Sequence, residues 1–314
     1  MCSYQAAVSQ ETGSSTRTEE RFEGERLMAK FLRLPAFLIA CGTLLWPADP
    51  QRIVSTTPSI TELLYSLGLG DRVVGVTRFC RYPPEAQKKT IIGDYINPNI
   101  EVIASLRPDL VIVQQNPARL AERLKALHLK TLEIDQQNVP FDDAIFKSTL
   151  IVGEATGTSA RAAQLIASIR AGLDAVRSKA APYKPKRVMF VVGRSPGRVD
   201  GLIVVGRASY LNELMTTAGG ENVFRDAVAP YPEVSLESVI ARDPEIIVDM
   251  GEMGDNITEQ YRREVTAAWR RVPSVAAVKH NQVVTVASEI YVTPGPRVAE
   301  AARALLAIFH PEAK

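Results

Sequence analysis

The chain has 314 residues, 46% of them hydrophobic and 23% charged, and a formal net charge of +2. Those proportions are ordinary for a globular protein, the length suits two domains, and the near-neutral balance gives no basic footprint for nucleic acid. Cys2, Cys41 and Cys80 make neither a disulfide framework nor a zinc-ligand spacing.

Residues 1–27 are polar and carry no apolar period, so they are expected to be disordered or a mis-assigned extension ahead of Met28. Residues 28–48 read as a signal peptide: a short basic stretch, then the uncharged apolar run from Leu34 to Trp46. Spanning a bilayer takes roughly 20 such residues, whereas a signal-peptide core takes about 7–15. Leu38-Ile39-Ala40-Cys41 resembles a bacterial lipobox, which makes Cys41 the candidate lipid acceptor. A signal from Met28 to Cys41 is short, and Ala48 is the alternative cleavage point. Export is expected either way, to the periplasm or the outer face of the cytoplasmic membrane.

Residues 52–157 read as an α/β lobe. Arg52–Thr56 is a predicted strand, and a helix follows from Pro58 to Gly68. Ser59 with Glu62 three residues on reads as a capping box, in which Glu62 reaches back to the helix start. Val73–Thr77 is a strand, Ile100–Leu106 a helix stopped before Pro108, and Leu110–Val113 a strand apolar enough to be covered on both faces. A helix at Ala118–Leu127 and a strand at Lys130–Ile134 complete the lobe. Strand alternating with helix is the signature of a parallel-rich sheet.

Thr158–Ala180 is predicted as one long linking helix, the centre of a segment 158–181. It is rich in helix formers, and Ala162, Leu165, Ile169, Leu173 and Val176 form one apolar stripe. Its length is roughly 35 Å at 1.5 Å per residue. Residues 185–314 then restart the α/β pattern, with strands at Arg187–Val192, Glu245–Val248 and Gln282–Val286. The predicted helices are Ser209–Ala218, Ser235–Arg242, Ile257–Arg270 and Val298–Phe309.

The two lobes carry the same unit. "NIEVIASLRPDLVIV" from Asn99 returns as "LESVIARDPEIIVD" from Leu236, at an offset of 136 residues from Glu101 to Glu237. Glu62-Leu63-Leu64 with Gly68 returns as Glu213-Leu214-Met215 with Gly219, at 151. Two copies are too few for a solenoid, which needs roughly three or more, so two similar lobes are expected.

"RIVSTTPSITELLYSLGLGDRVVGVT", "YPPEAQK", "NPNIEVIASLRPDLVIV", "GGENVF" and "PYPEVSLESVIARDPEIIV" occur in this order over about residues 52–310. In these motifs the chain resembles the periplasmic binding proteins of ABC importers for cobalamin, ferric siderophores and haem, the helical-backbone class, closest to the cobalamin branch. The resemblance implies two Rossmann-like lobes joined by one rigid helix, a ligand cleft between them, no catalysis, no cofactor and a monomeric protein. It also implies that Glu101 and Glu237, one exposed glutamate per lobe, meet arginines on the permease dimer. The plainer reading is a carboxylate favoured in a helix's first turn by the dipole.

Loops after strand ends line such a cleft. The ligand-binding candidates are Phe79, Arg81 and Tyr95 from the first lobe, and Arg194, Tyr231 and Tyr291 from the second, with Arg78 and Arg198 nearby. The aromatics suit a large flat ligand, whereas arginine reads carboxylate or phosphate. A corrinoid is therefore expected first, with a ferric siderophore or haem as the alternative. Cys80 and Tyr95 are conceivable iron donors. A metal-ion carrier is less favoured, since His128, His280 and His310 are scattered. A serine hydrolase is disfavoured because Pro196, following Ser195 in Gly193-Arg-Ser-Pro-Gly197, has no N–H for an oxyanion hole.

Overall fold

A computed structural model of the chain describes residues 49–115, 119–137, 139–250, 257–287 and 289–313. Residues 1–27, the signal segment and Cys41 lie outside these.

In the first lobe, β1 (Ile53–Ser55), β2 (Val73–Val76), β3 (Thr90–Ile91), β4 (Leu110–Gln114) and β5 (Thr131–Ile134) form a sheet in the order β3-β2-β1-β4-β5. Every pairing is parallel. All of β4 is buried, as a central strand covered on both faces requires. The connecting helices are α1 (Pro58–Ser66), α2 (Ile100–Ser105) and α3 (Leu120–Ala126).

A π-helical turn (Asp143–Lys147) and α4 (Ser148–Ala155) lead into α5 (Ser159–Ala180). The second lobe holds β6 (Lys186–Gly193), β7 (Leu202–Val204), β8 (Gly220–Asn222), β9 (Glu233–Val234), β10 (Ile246–Asp249) and β11 (Val283–Thr285). Its order is β11-β10-β6-β7-β9, with β8 also on β6. β8, β10 and β11 pair in parallel, but β6–β7 and β7–β9 are antiparallel. Its helices are α6 (Tyr210–Thr217), α7 (Leu236–Arg242), α8 (Glu259–Trp269), α9 (Ala276–Lys279), α10 (Glu289–Val292) and α11 (Val298–Phe309). The fold is thus mixed α/β with two parallel-rich sheets.

The stripe of α5 changes core part-way along. Ala162 packs with Val152, Leu63 and Ile112 of the first lobe. Ile169, Leu173, Val176 and Ala180 pack with Phe190, Leu305 and Phe309 of the second, and Leu165 touches both cores. Gly172 lets α11 lie close, since a Cβ there would stand 2.8 Å from that of Ala299. The chain already enters the second core at Phe141, Ala144, Ile145 and Phe146, before α5 begins.

The repeat in sequence is a repeat in construction. Asp109 accepts hydrogen bonds from the backbone N–H groups of Gln51 (2.8 Å) and Arg52 (2.9 Å) ahead of β1. Glu245, its counterpart, accepts from Arg187 N–H (2.9 Å) in β6. The Arg52 guanidinium donates to the Leu106 carbonyl (2.7 Å) at the end of α2, and that of Arg187 donates to the Arg242 carbonyl at the end of α7. Arg107 and Asp243 take the same left-handed turn, with φ of 45° and 40°, and Gly68 and Gly219 match at 75° and 79°. Each device satisfies a group that a helix or strand end leaves unpaired.

One predicted feature is corrected. Ser59 and Glu62 form no capping box. Thr57 is the N-cap of α1, accepting from Ile60 N–H at 3.4 Å, with Pro58 in the first turn. The Glu62 side chain turns instead to Arg297 of the other lobe, and the Ser59 hydroxyl to Gln136 within its own.

Candidate functional site

Loops leaving parallel strands gather at the strands' carboxyl ends, where open α/β sheets bind ligands. In this protein those edges meet. Ser59, after β1, donates its hydroxyl to Gln136 Oε1 (2.8 Å), after β5. Gln136 Nε2 donates to the carbonyl of Pro294 in the second lobe (3.1 Å) and to that of Ala144 (3.3 Å). Arg297, the N-cap of α11, reaches across to Glu62 in α1, with Nε to Oε2 at 2.9 Å and Nη2 to Oε1 at 2.5 Å. The same Nη2 holds Glu289 at 2.9 Å, and the Tyr82 ring lies 4.0 Å from the guanidinium. Glu62 is only 2% exposed and Arg297 15%. Burial pushes the Glu62 carboxyl up, against the hydrogen bond and charge of Arg297.

Behind this seam lies a buried hydroxyl cluster. Cys80 Sγ sits 3.1 Å from both Thr61 Oγ1 and Thr77 Oγ1. Burial pushes its thiol up and the hydrogen bonds only partly oppose that, so Cys80 is a buried neutral thiol, unsuited to hold iron. Depressions of about 320, 490 and 450 Å³ open elsewhere, around Phe146 and Arg170, Val176 and Leu306, and Lys186 and His280. None involves the facing strand ends, so the seam marks the candidate cleft better than cavity size does.

Among the aromatic candidates, Phe79 is exposed on the loop after β2. Tyr95 is half-buried and its hydroxyl donates to Gln137 Oε1 (3.2 Å). Tyr231 is 38% exposed and hydrogen-bonded to the Ser209 side chain. Burial raises its phenol despite that bond. Tyr95 and Tyr231 are themselves 136 residues apart, so they occupy one position of the repeat, six residues ahead of each glutamate. Tyr291 is different: it is 5% exposed, edge-on to Phe190 at 5.6 Å, and its phenol is pushed up to about 12 by burial. It belongs to the second lobe's core, because α10 turns its ring inward.

The arginines lose most of their anion-reading role. Arg194 is buried, its Nε 2.9 Å from Asp249 Oδ2, which also accepts from Trp269 Nε1 (2.6 Å). Its expected place at the ligand is corrected to a place in the fold. Arg78 pairs with Asp94 and Arg198 with Asp200, each at 2.5 Å. Arg81 is exposed, and its carbonyl accepts from Gln87. Glu101 and Glu237 stand exposed in the first turns of α2 and α7. Neither makes an ion pair among the described residues. The pKa of Glu237 is lowered by its own backbone N–H and by Ser235.

Residues 53–290 match the model of a family described as periplasmic binding protein. The chain belongs to that family. The periplasmic binding protein fold recurs in the solved vitamin B12-binding protein BtuF of Vibrio cholerae, with a TM-score of 0.69 and 26% identity over 85% of this chain and 99% of that one. The haem-binding protein RhuT of Roseiflexus sp. RS-1 gives 0.70 and 27% over 84% and 99%. In sequence, the chain is 30% identical over 84% of its length to YvrC, an ABC transporter substrate-binding lipoprotein of Bacillus subtilis (strain 168), covering 81% of that protein. It is 32% identical over 75% of its length to the vitamin B12-binding protein of Salmonella typhimurium (strain LT2), covering 82% of it. As a periplasmic binding protein it is a non-catalytic solute carrier of the ABC-importer type.

Sequence reasoning missed Arg297, Glu289, Tyr82 and Gln136. Glu289 and Arg297 are eight residues apart, but Tyr82 and Gln136 come from distant parts of the chain, and no helical or strand period links the four.

Proposed function

We propose that the chain captures cobalamin or a related corrinoid between its lobes and delivers it to a membrane permease dimer through Glu101 and Glu237. The observation that carries the ligand reading is the pair Tyr95 and Tyr231, one part-exposed phenol at the same repeat position of each lobe. Two such rings give a large ligand contact area on both sides at little entropic cost. Arg78, Arg194 and Arg198 being matched by carboxylates favours a weakly charged solute over a polyanionic chelate. The kinship to vitamin B12-binding proteins points the same way.

Haem is the second reading, favoured by the likeness to RhuT and by the Tyr95 phenol as an iron donor. Absorption and calorimetric titrations with cyanocobalamin, haemin and a ferric chelate separate them. A micromolar or tighter cyanocobalamin complex is expected. A haemin complex whose spectrum changes in Tyr95→Phe, with no cyanocobalamin binding, would replace it.

Docking rests on two equivalent exposed carboxylates, which offer a two-point contact for guanidinium groups. Glu101→Ala with Glu237→Ala is expected to abolish uptake and leave solute affinity intact. Unchanged uptake removes the docking role. The protein acts in this reading as an exported monomer, with Cys41 as its candidate lipid attachment.

A further inference from the structure

The lobes are tied together by more than α5. Among the described residues, polar links cross the seam from Glu62 to Arg297 and from Gln136 to the Pro294 carbonyl. The first is directional. A guanidinium meets a carboxylate through two parallel hydrogen bonds, which fixes angle as well as distance. Tyr82 from the first lobe lies against one face of the guanidinium, and Glu289 from the second holds its remaining donor edge. Arg297 is therefore located from both lobes at once.

The partners are unequal. Without Glu62, Arg297 keeps Glu289. Without Arg297, Glu62 has no other cation among the described residues and is a buried bare carboxylate. Neither residue belongs to a lobe's apolar core. Their bond spans 235 residues of sequence and joins two bodies that each have their own core. Such a bond constrains how the bodies sit rather than whether each folds.

We propose that Glu62 and Arg297 form a pin at the floor of the cleft that fixes the spacing of the two lobes' rims. Solute affinity then depends on the pin as a positioning device, a consequence that rests on the cleft being the solute site. With the pin in place the binding-competent spacing is already populated. Without it, affinity falls by the fraction of time the lobes hold that spacing.

The test uses the full chain with Cys2→Ser and Cys41→Ser, leaving buried Cys80 in place. Spin labels go on the exposed positions Leu127→Cys and Ile240→Cys, one per lobe. Pulsed electron resonance then gives the interlobe distance distribution without any solute. One narrow distribution is expected for the parent. Glu62→Gln, an isostere that avoids a bare buried charge, is expected to broaden or shift it, while Glu289→Gln leaves it as it was. Thermal melts verify that both variants fold. An unchanged distribution in Glu62→Gln overturns the pin. Cyanocobalamin and haemin serve as probes, and whichever binds the parent is expected to bind Glu62→Gln about tenfold more weakly. Weaker binding with an unaltered distribution would mean direct solute contact, and also overturns the pin. A broadened distribution with neither probe bound by the parent supports the pin and counts against the solute reading alone.

Discussion

The first and second lobes share one frame and differ where each strand meets its interior. At the repeat position after three buried aliphatics, the first lobe has Val113 in β4 and the second has Asp249 in β10. Val113 needs nothing but packing. Asp249 needs Arg194 and Trp269, because a buried charge without partners is far costlier than a buried methyl. A second contrast lies on the equivalent helices, where Glu62 of α1 is buried in an interlobe bond and Glu213 of α6 is exposed. Duplication preserved the strand-start and helix-end devices, which serve backbone groups that every copy has. It did not preserve side chains whose neighbours come from outside the unit.

The largest expected effect breaks the first contrast. Arg194→Met leaves the buried Asp249 side chain without its cation partner among the described residues, and should destabilise the protein by about 3–5 kcal/mol. Adding Asp249→Val, the residue type the first lobe uses here, should recover most of that loss. Recovery stays incomplete because Trp269 Nε1 then loses its acceptor, at about 1–3 kcal/mol. Urea denaturation of the two variants measures both steps. Equal instability of the single and double variants would show that the ion pair is not what the second lobe substitutes for valine.

How much of this was legible in the sequence follows the same division. The long helix, both parallel-rich sheets and the two glutamate-bearing helices were readable because period, caps and stops are local. β3, β8 and β9 were not, since Thr90-Ile91, Gly220-Glu221-Asn222 and Glu233-Val234 carry no apolar run. The antiparallel β7 was also missed, although Leu202-Ile203-Val204 is an apolar run. Motif position nominated Tyr95 and Tyr231, and the fold leaves both rings part-exposed. Tyr291 and Arg194 were misplaced because position on a loop after a strand does not say which way a side chain turns. Arg297 with Glu62 was invisible, because its two halves have no relation in sequence. The Ser59–Glu62 spacing even suggested a local partner that the fold does not use.

A smaller effect sharpens the equivalence of the lobes. If the two tyrosines share the solute, Tyr231→Ala and Tyr95→Ala should each weaken cyanocobalamin binding by about 1–3 kcal/mol, the usual range for truncating a buried aromatic contact. Calorimetry on the single variants reads this directly. An unaltered affinity in both would remove them from the cleft, and a loss confined to one would assign the grip to that lobe alone.

The smallest effect concerns Glu62 against Glu213. Burial raises the Glu62 carboxyl above its ordinary value of 4.5, with Arg297 pulling it down. The native state therefore holds this proton more tightly than the unfolded chain does. By linkage, the stability it contributes is fully present below pH 4.5 and is lost as pH rises through the folded-state value. Glu62→Gln should flatten that part of the pH–stability profile and cost well under the roughly 3–5 kcal/mol of stranding a buried charge, since Arg297 keeps Glu289 as its counter-ion. Glu213→Gln, exposed, should change stability by no more than about 0.5 kcal/mol and leave the profile alone. Carbon-13 titration of the glutamate side chains, with denaturation from pH 4 to 8, tests both. A lowered Glu62 titration would mean that the arginine outweighs desolvation, and the bond would then stabilise the fold outright. A raised one means that it holds the lobes in register while adding little to their stability.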